Sequence, residues 1–227
     1  MIYERVWPAR FLNRPNRFIA HVELKGRTEV CHVKNTGRCR ELLVPGCRVY
    51  VQYQPSPARK TAYDLIAVEK GNRLINMDAN APNRVFGEYV RAGRFLRKWP
   101  VIRPETVHGD SRFDFYLEAP GRRLFAEVKG VTLEEGGVTC FPDAPTERGV
   151  KHLEGLARCV REGYEAWAVF VIQMEGARWL EPNRHTHPAF ADALARAAQA
   201  GVHLLALDCR TEPDRLEIRR PVEIRLR

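Results

Sequence analysis

The chain has 227 residues, enough for one large domain or two small ones, and its 44% hydrophobic and 29% charged residues are ordinary for a globular protein. No apolar run approaches the roughly 20 residues that a membrane-crossing helix needs, and the first residues lack the apolar core of a signal peptide. The sequence therefore predicts a cytoplasmic protein with no membrane partner. The net charge of +9 is concentrated, since residues 1–82 contain 14 basic and 7 acidic side chains, against 23 and 21 in the remainder. This asymmetry indicates a polyanionic partner for the amino-terminal third.

Residues 1–82 are predicted to form an OB-like β-barrel domain. Apolar and β-branched runs are separated by turn signals such as Lys25-Gly26 and Lys70-Gly71. Five short strands suit a small closed barrel, and the OB-fold is the commonest such barrel that binds nucleic acid. A barrel with a purely structural role is the alternative. The predicted strands are residues 18–24, 28–34, 48–54, 63–68 and 73–76.

Basic side chains of this barrel are candidates for a nucleic-acid-binding groove, with aromatic side chains beside them for base stacking. Phe18 and Tyr53 are the stacking candidates, and a place in the barrel core is the alternative for both. The groove candidates are Arg14, Arg17, Lys34, Arg38 and Arg40.

Residues 83–227 show a different pattern, which predicts a mixed β-sheet flanked by helices. Val85, Tyr89, Ala92 and Leu96 recur at helical spacing, with Asn83 as a cap. Two alternating runs follow at 113–117 and 124–128, and then a helix over 146–161 capped by its first residue, a threonine. Continuous apolar runs at 168–172 and 202–207 are typical of buried strands, with a helix over 188–200 between them. The last segment, 216–226, is predicted to be extended.

The most informative residues of this second domain are Asp114, Glu127 and Lys129. Side chains alternate along a strand, so Glu127 and Lys129 project from one face. Asp114 is flanked by Phe113 and Phe115, which predicts that it points away from their shared face. Pairing the two strands brings Asp114 beside Glu127, so that two carboxylates and an ammonium meet in one region.

Two neighbouring carboxylates repel each other unless a cation lies between them, and Mg²⁺ or Mn²⁺ is the predicted cofactor. The predicted metal ligands are Asp114, Glu127 and the backbone carbonyl of Val128. Lys129 would orient or deprotonate an attacking water, or stabilise charge on the phosphate. The alternative is a solvated salt bridge, which contributes at most about 1 kcal/mol.

Two helices carry further candidates. Glu88 lies on the predicted helix stripe that faces the sheet, where it could be an outer metal ligand through water, with an ordinary helix-edge position as the alternative. Arg148 and His152 are four residues apart, so they share a helix face, and Lys151 lies beside them. These three are predicted to contact a substrate phosphate, with a solvated helix face as the alternative.

An acid, a hairpin and then Glu-x-Lys, with helices on either side, resembles the PD-(D/E)xK nuclease superfamily. The chain more specifically resembles the sugar fermentation stimulation protein A family, almost from end to end. The resemblance implies an amino-terminal OB-like domain, a nuclease-like domain and DNA binding, together with a historical label as a regulator of sugar-utilisation genes. The motifs that carry it are Lys34-Asn35-Thr36-Gly37, residues 76–84, Ser111-Arg112-Phe113-Asp114, Glu127-Val128-Lys129, Val131-Thr132-Leu133, Phe141-Pro142-Asp143-Ala144 and residues 146–153.

The leading functional hypothesis is a metal-dependent nuclease acting on DNA, single-stranded or branched DNA included. A non-catalytic DNA-binding regulator that retains the nuclease fold is the alternative. RNA processing would use the same chemistry and would show as a preference for substrates with a 2′-hydroxyl.

Overall fold

The computed structural model describes residues 1–35, Gly37 and residues 39–226. No helix among them is long and apolar enough to cross a membrane.

The amino-terminal part is an OB-like barrel, as predicted. Its sheet has the strand order β3-β2-β1-β4-β5-β6, and a parallel pairing between β3 and β5 closes the first five strands into a barrel. Side chains that alternate inward along these strands, such as Phe11, Val22, Val49 and Leu65, are at most 1% exposed and fill the interior. The strands are β1 (Val6–Asn16), β2 (Ile19–Leu24), β3 (Arg27–Val33), β4 (Arg48–Tyr53), β5 (Tyr63–Lys70) and β6 (Arg73–Asn76).

The first of these strands was not among the five predicted. It carries Pro8, Pro15 and charged side chains, and only Ala9 and Phe11 are buried, so it shows neither an apolar run nor a clean alternation. Its pairing with β2 also shifts register after Phe11 and again after Asn13. A bulged strand of this kind bends to follow the curved barrel wall, at the expense of a regular sequence signal.

The second domain is a mixed sheet flanked by helices, again as predicted. Its strand order is β10-β11-β13-β15-β14-β12-β9-β8-β7, with β12 parallel to both β9 and β14 and β8 antiparallel to β9. The helices are α1 (Ala81–Arg91), α2 (Glu147–Arg161) and α3 (Pro188–Gln199). The strands are β7 (Val101–His108), β8 (Ser111–Ala119), β9 (Arg122–Val131), β10 (Leu133–Glu135), β11 (Val138–Phe141), β12 (Glu165–Ile172), β13 (Trp179–Pro182), β14 (His203–Glu212) and β15 (Arg215–Ile224).

Helix α1 differs from the prediction at both ends. Asn80 occupies the cap position and Pro82 lies in the first turn, so Asn83 is inside the helix rather than at its cap. A domain boundary between residues 82 and 83 would cut this first turn. The helix ends at Arg91, before Gly93 with its φ of 71°. Leu96, predicted on the buried stripe, consequently lies beyond the helix and is 48% exposed.

Helix α2 begins where the sequence predicts. The backbone N–H of Gly149 donates to the Thr146 Oγ1 at 3.0 Å, which satisfies one of the free donors of the first turn. The cap fixes the start of the helix that carries Arg148 and His152.

A buried polar seam joins the two domains. The connecting residues Met77 and Asp78 are at most 1% exposed. The Gln173 Nε2 donates to the Asn76 Oδ1 at 2.9 Å and to the Asp78 carbonyl at 3.0 Å. The Asn76 Nδ2 in turn donates to the Tyr3 hydroxyl at 2.9 Å. Residues from the start, the middle and the second half of the chain therefore meet at this seam.

Candidate active site

The candidate site lies where β8 and β9 part. Their register runs from Ala119 opposite Arg122 to Phe115 opposite Ala126. Beyond that pair the regular backbone pairing of β8 with β9 stops. There the Val128 N–H donates to the Asp114 Oδ2 at 2.7 Å, so a side-chain carboxylate takes the place of a backbone carbonyl as the acceptor. This departure places Asp114 at the point where β8 and β9 separate.

The aromatic neighbours of Asp114 do not share a face, contrary to the prediction. Phe113 packs closely against α2 at Gly155. A Cβ on that glycine would lie only 3.1 Å from the Phe113 ring. Phe115 packs against α1, with its ring centroid 5.4 Å from that of Phe86. Strict alternation fails at Asp114, where β8 stops pairing with β9. The residues on either side of Asp114 therefore point to opposite faces of the sheet.

Asp114 is half-buried and firmly held. Its Oδ1 accepts a hydrogen bond from the Asn83 Nδ2 at 2.7 Å, in addition to the Val128 N–H on Oδ2. Burial, and then repulsion by the nearby Glu127, raise the pKa of this carboxyl above its usual value.

Glu127 is 4% exposed and uses only one of its two oxygens. Its Oε1 lies 2.6 Å from the Lys129 Nζ and also contacts the His152 Nδ1. Its Oε2 has no hydrogen-bond partner among the described residues. Burial alone would raise the pKa of Glu127, but the His152 hydrogen bond and the Lys129 ammonium outweigh it and hold the pKa below its usual value. The side chain is therefore an ionised carboxylate with one oxygen available.

The predicted phosphate contacts of α2 divide into two sets. His152 is 6% exposed and lies between Glu127 and Arg148, whose Nε donates to the His152 Nε2 at 3.3 Å. Since Nε2 accepts there, Nδ1 carries the proton shared with Glu127. Arg148 is itself exposed. Lys151 points elsewhere, with its Nζ 3.4 Å from Asp110 on the surface.

Glu88 lies on the outer side of α1. Its Oε2 accepts from the amino-terminal ammonium of Met1 at 2.7 Å, and its side chain is 53% exposed. It also lines a cavity of about 440 Å³ that reaches Asp114. Its carboxylate is thus near the candidate site but already holds a cation.

Three of the predicted barrel residues lie together, lining a cavity of about 700 Å³ beside Ala144 of the second domain: Arg14, Arg17 and Arg40. The Arg14 guanidinium also donates to the Asn35 carbonyl at 2.8 Å. Phe18 is 52% exposed, whereas Tyr53 packs against Tyr63 with ring centroids 5.2 Å apart.

Lys34 is not part of that cavity. Its Nζ lies 2.9 Å from the Asp64 carboxylate and 3.6 Å from Asp78, so two buried acids engage it. Arg38 lies outside the described residues.

The donors fit a hard divalent cation better than zinc. Within the described ranges, no three His, Cys, Asp or Glu side chains are grouped so as to hold a metal. Mg²⁺ needs only one or two carboxylates, since waters and substrate phosphates complete its octahedron. Asp114 and the free Oε2 of Glu127 provide those carboxylates, and the Val128 carbonyl follows Glu127 directly in the chain.

The roles of Asn83 and His152 were missed by sequence reasoning. Both hold a carboxylate of the site, whereas the sequence predicted a helix cap and a phosphate contact. The one signal that could have indicated Asn83 is the repeated asparagine of residues 76–83. No pattern in α2 distinguishes the buried His152 from its exposed neighbours.

Together, a closed five-stranded OB barrel and an α/β domain with an Asp–Glu–Lys site define a two-domain protein. Residues 12–77 match the family profile described as the SfsA N-terminal OB domain, and residues 80–215 match the Sugar fermentation stimulation protein RE domain. The chain belongs to the sugar fermentation stimulation protein family.

Relatives match along nearly the whole chain. A sugar fermentation stimulation protein homolog of Desulfitobacterium hafniense (strain Y51) is 57% identical over 217 residues, covering 96% of this chain and 95% of the relative. A homolog from Ruminiclostridium cellulolyticum is 50% identical over 226 residues, covering 100% of both chains. The solved structure of Pyrococcus furiosus SfsA in complex with Ca²⁺ is 28% identical and has a TM-score of 0.89, covering 99% of this chain and 98% of that chain.

Proposed function

We propose that this chain is a divalent-metal-dependent nuclease that hydrolyses phosphodiester bonds in DNA. The observation that carries the proposal is the pairing of half-buried Asp114 with buried Glu127, whose Oε2 has no partner among the described residues. A buried ionised oxygen without a partner is costly, and such atoms mark positions that a ligand completes. Two carboxylates with a neighbouring lysine, Lys129, form a set of side chains suited to phosphoryl transfer.

Asp114, Glu127 and the carbonyl of Val128 would hold Mg²⁺ or Mn²⁺. When bound, such a cation neutralises charge on the phosphate and lowers the pKa of a water. The Ca²⁺ in the Pyrococcus furiosus relative supports this assignment, because Ca²⁺, like Mg²⁺, takes hard oxygen ligands. Asn83 and the Val128 N–H hold the Asp114 carboxylate in place, and His152 does the same for Glu127.

Lys129 would act on the water or on the phosphate. Its ammonium lies 2.6 Å from Glu127 Oε1, and its side chain is 19% exposed. An ammonium in a partly water-excluded pocket orients a nucleophile or stabilises charge developing on a phosphate. Either role requires the Lys129 ammonium to lie beside Glu127 and not to extend into bulk solvent.

The barrel would hold the nucleic-acid strand near this site. Arg14, Arg17 and Arg40 line one cavity at the side of the barrel that meets the second domain. Phe18, half exposed at the turn into β2, could stack on a base. A positive groove with an exposed aromatic side chain favours single-stranded segments, whether free or within branched DNA.

The proposal is tested by cleavage assays on single-stranded, duplex and branched DNA and on RNA, with Mg²⁺ or Mn²⁺. Glu127→Ala and Lys129→Ala should abolish cleavage and leave nucleic-acid binding in place. Glu154→Ala, an exposed acid on α2 away from the site, is the matched control and should cleave normally.

Two outcomes would replace the proposal. No cleavage of any substrate, together with salt-sensitive binding that neither substitution changes, would indicate a non-catalytic DNA-binding regulator. Cleavage confined to substrates with a 2′-hydroxyl would indicate RNA processing instead.

A further inference from the structure

A second surface adjoins Asp114 on the α1 side of the sheet. It is a cavity of about 440 Å³, lined on one side by Asn83, Arg84 and Arg91 of α1 and on the other by Pro104 and Glu105 of β7. Asp114 lies in its wall. The cavity is therefore continuous with the candidate site.

The structure makes room for Arg91 in this cavity. Gly87 is buried in the middle of α1, and a Cβ placed on it would lie 3.1 Å from the Arg91 Nη1 and 3.4 Å from the Phe115 ring. The Arg91 side chain thus folds back along the helix, across the face of the glycine, towards the residue next to Asp114. A Cβ at position 87 would press on the guanidinium and require it to shift by a few tenths of an ångström.

The positive charge of the cavity is available. In the described part of the chain, neither Arg84 nor Arg91 forms an ion pair, and the two acids at the rim are engaged by other cations. Glu88 holds the Met1 ammonium at 2.7 Å, and Glu105 lies 3.6 Å from Arg112. The neighbouring Arg94, by comparison, is paired with Glu217 and lies over the Tyr89 ring.

We propose that Arg84 and Arg91 bind the phosphate adjacent to the one that would be hydrolysed at the candidate site. This assignment rests on the proposed function, and it specifies which phosphate of the nucleic-acid strand the cavity would bind. Guanidinium groups match phosphate oxygens in charge and geometry, and phosphate contacts of this kind set the register of a strand on its protein. The phosphate is either an internal phosphodiester or a terminal phosphomonoester, which have the same recognition chemistry.

Binding without metal tests the site independently of cleavage. A fluorescent single-stranded DNA oligonucleotide is titrated in EDTA at several salt concentrations with wild type, Arg84→Gln and Arg91→Gln. Each substitution should weaken binding about 10-fold and lower the salt slope by about one phosphate contact. Arg97→Gln, an exposed arginine beyond α1 that does not line the cavity, is the control and should bind like wild type.

Gly87→Ala tests the geometry. Alanine is the better helix former, so the fold should be kept, while its Cβ should shift the Arg91 guanidinium slightly. Binding should weaken by less than in Arg91→Gln, and Gly87→Ala should add nothing further once Arg91 is replaced. Oligonucleotides with and without a terminal phosphate show the source, since a loss confined to phosphorylated ends assigns the cavity to a terminal phosphomonoester.

The outcomes separate this inference from the nuclease proposal. Wild-type binding by both arginine variants, or an equal loss in Arg97→Gln, would overturn the phosphate site even if cleavage is observed. The predicted losses in a protein that cuts no substrate would support the phosphate site and leave the nuclease proposal without support.

Discussion

Two buried carboxylates of this protein, Asp64 in the barrel and Glu127 in the second domain, have opposite environments. Asp64 is 0% exposed, and both its oxygens are engaged by Arg59 and Lys34. Although burial would raise its pKa, these two cations outweigh burial and lower it. Glu127 is 4% exposed, but only its Oε1 has partners in the described chain.

The difference indicates which acid stabilises the fold and which awaits a ligand. A buried charge whose partners are complete contributes to the native state, whereas an incomplete one costs stability that a bound cation restores. The acid beside Glu127 supports this interpretation, because burial and repulsion raise the pKa of Asp114. Four experiments test this contrast.

The largest expected effect is on catalysis. Glu127→Gln should reduce the cleavage rate by about 100-fold or more, since it removes a charge that would hold the metal. The free energy of unfolding should change by no more than about 1 kcal/mol, because functional sites are commonly not optimised for stability. Initial rates and urea denaturation measure the two quantities, with Glu154→Gln as the control. A large loss of stability would make Glu127 a structural residue like Asp64.

Asp64→Asn should show the reverse. It leaves Lys34 and Arg59 without their carboxylate, so the free energy of unfolding should fall by roughly 2–4 kcal/mol, near the range for a broken buried pair. Cleavage by the fraction that remains folded should be unchanged. Urea denaturation checks the loss against Glu23→Gln, which breaks an exposed pair with Arg10 and should cost less than about 1 kcal/mol. Equal losses in the two variants would remove the contrast.

His152→Gln should weaken metal binding about 10- to 100-fold, the usual effect of removing a group that orients a metal ligand. Isothermal titration with Mn²⁺ in the absence of nucleic acid measures it. Lys151→Gln, one residue away on the surface, should bind the metal like wild type. Unchanged affinity in His152→Gln would show that Lys129 alone positions Glu127.

The smallest effect is the pH dependence of the Asp64 contribution. Because its folded-state pKa is lowered, its stabilisation is present above the unfolded pKa of about 3.9 and is lost as pH falls through the folded value. The stability difference between wild type and Asp64→Asn should therefore be constant from neutral pH down to mildly acidic conditions, and should narrow below about pH 4. Paired urea titrations at each pH measure this. A difference that widens in acid would contradict the assigned cause.

Much of this arrangement could be predicted from the sequence. Apolar runs predicted the barrel strands from β2 onwards and the central strands of the second sheet, because both sets bury regular faces. Glu127 and Lys129 could be placed on one face because β9 pairs with β12 in an unbroken register along this segment. The Thr146 cap could be predicted because its hydrogen bond is local to four residues.

The remainder depended on contacts between distant parts of the chain. Strand β7 contains Pro104 at the edge of its sheet, and β10, β11 and β13 are three or four residues long. Such short strands form only because a neighbour supplies the pairing. Lys34 was predicted to lie in the groove, since nothing local shows that Asp64 and Asp78 would be folded against it.

The seam between the domains has a consequence for how the molecule unfolds. Tyr3, Asn76 and Gln173 form one hydrogen-bonded chain around Met77 and Asp78, which are at most 1% exposed. Opening either domain alone would leave these polar groups buried without partners, so neither half has a low-energy route to melt by itself. The chain should lose its structure in a single cooperative transition, and the backbone at Met77 and Asp78 should resist proteases until that transition occurs.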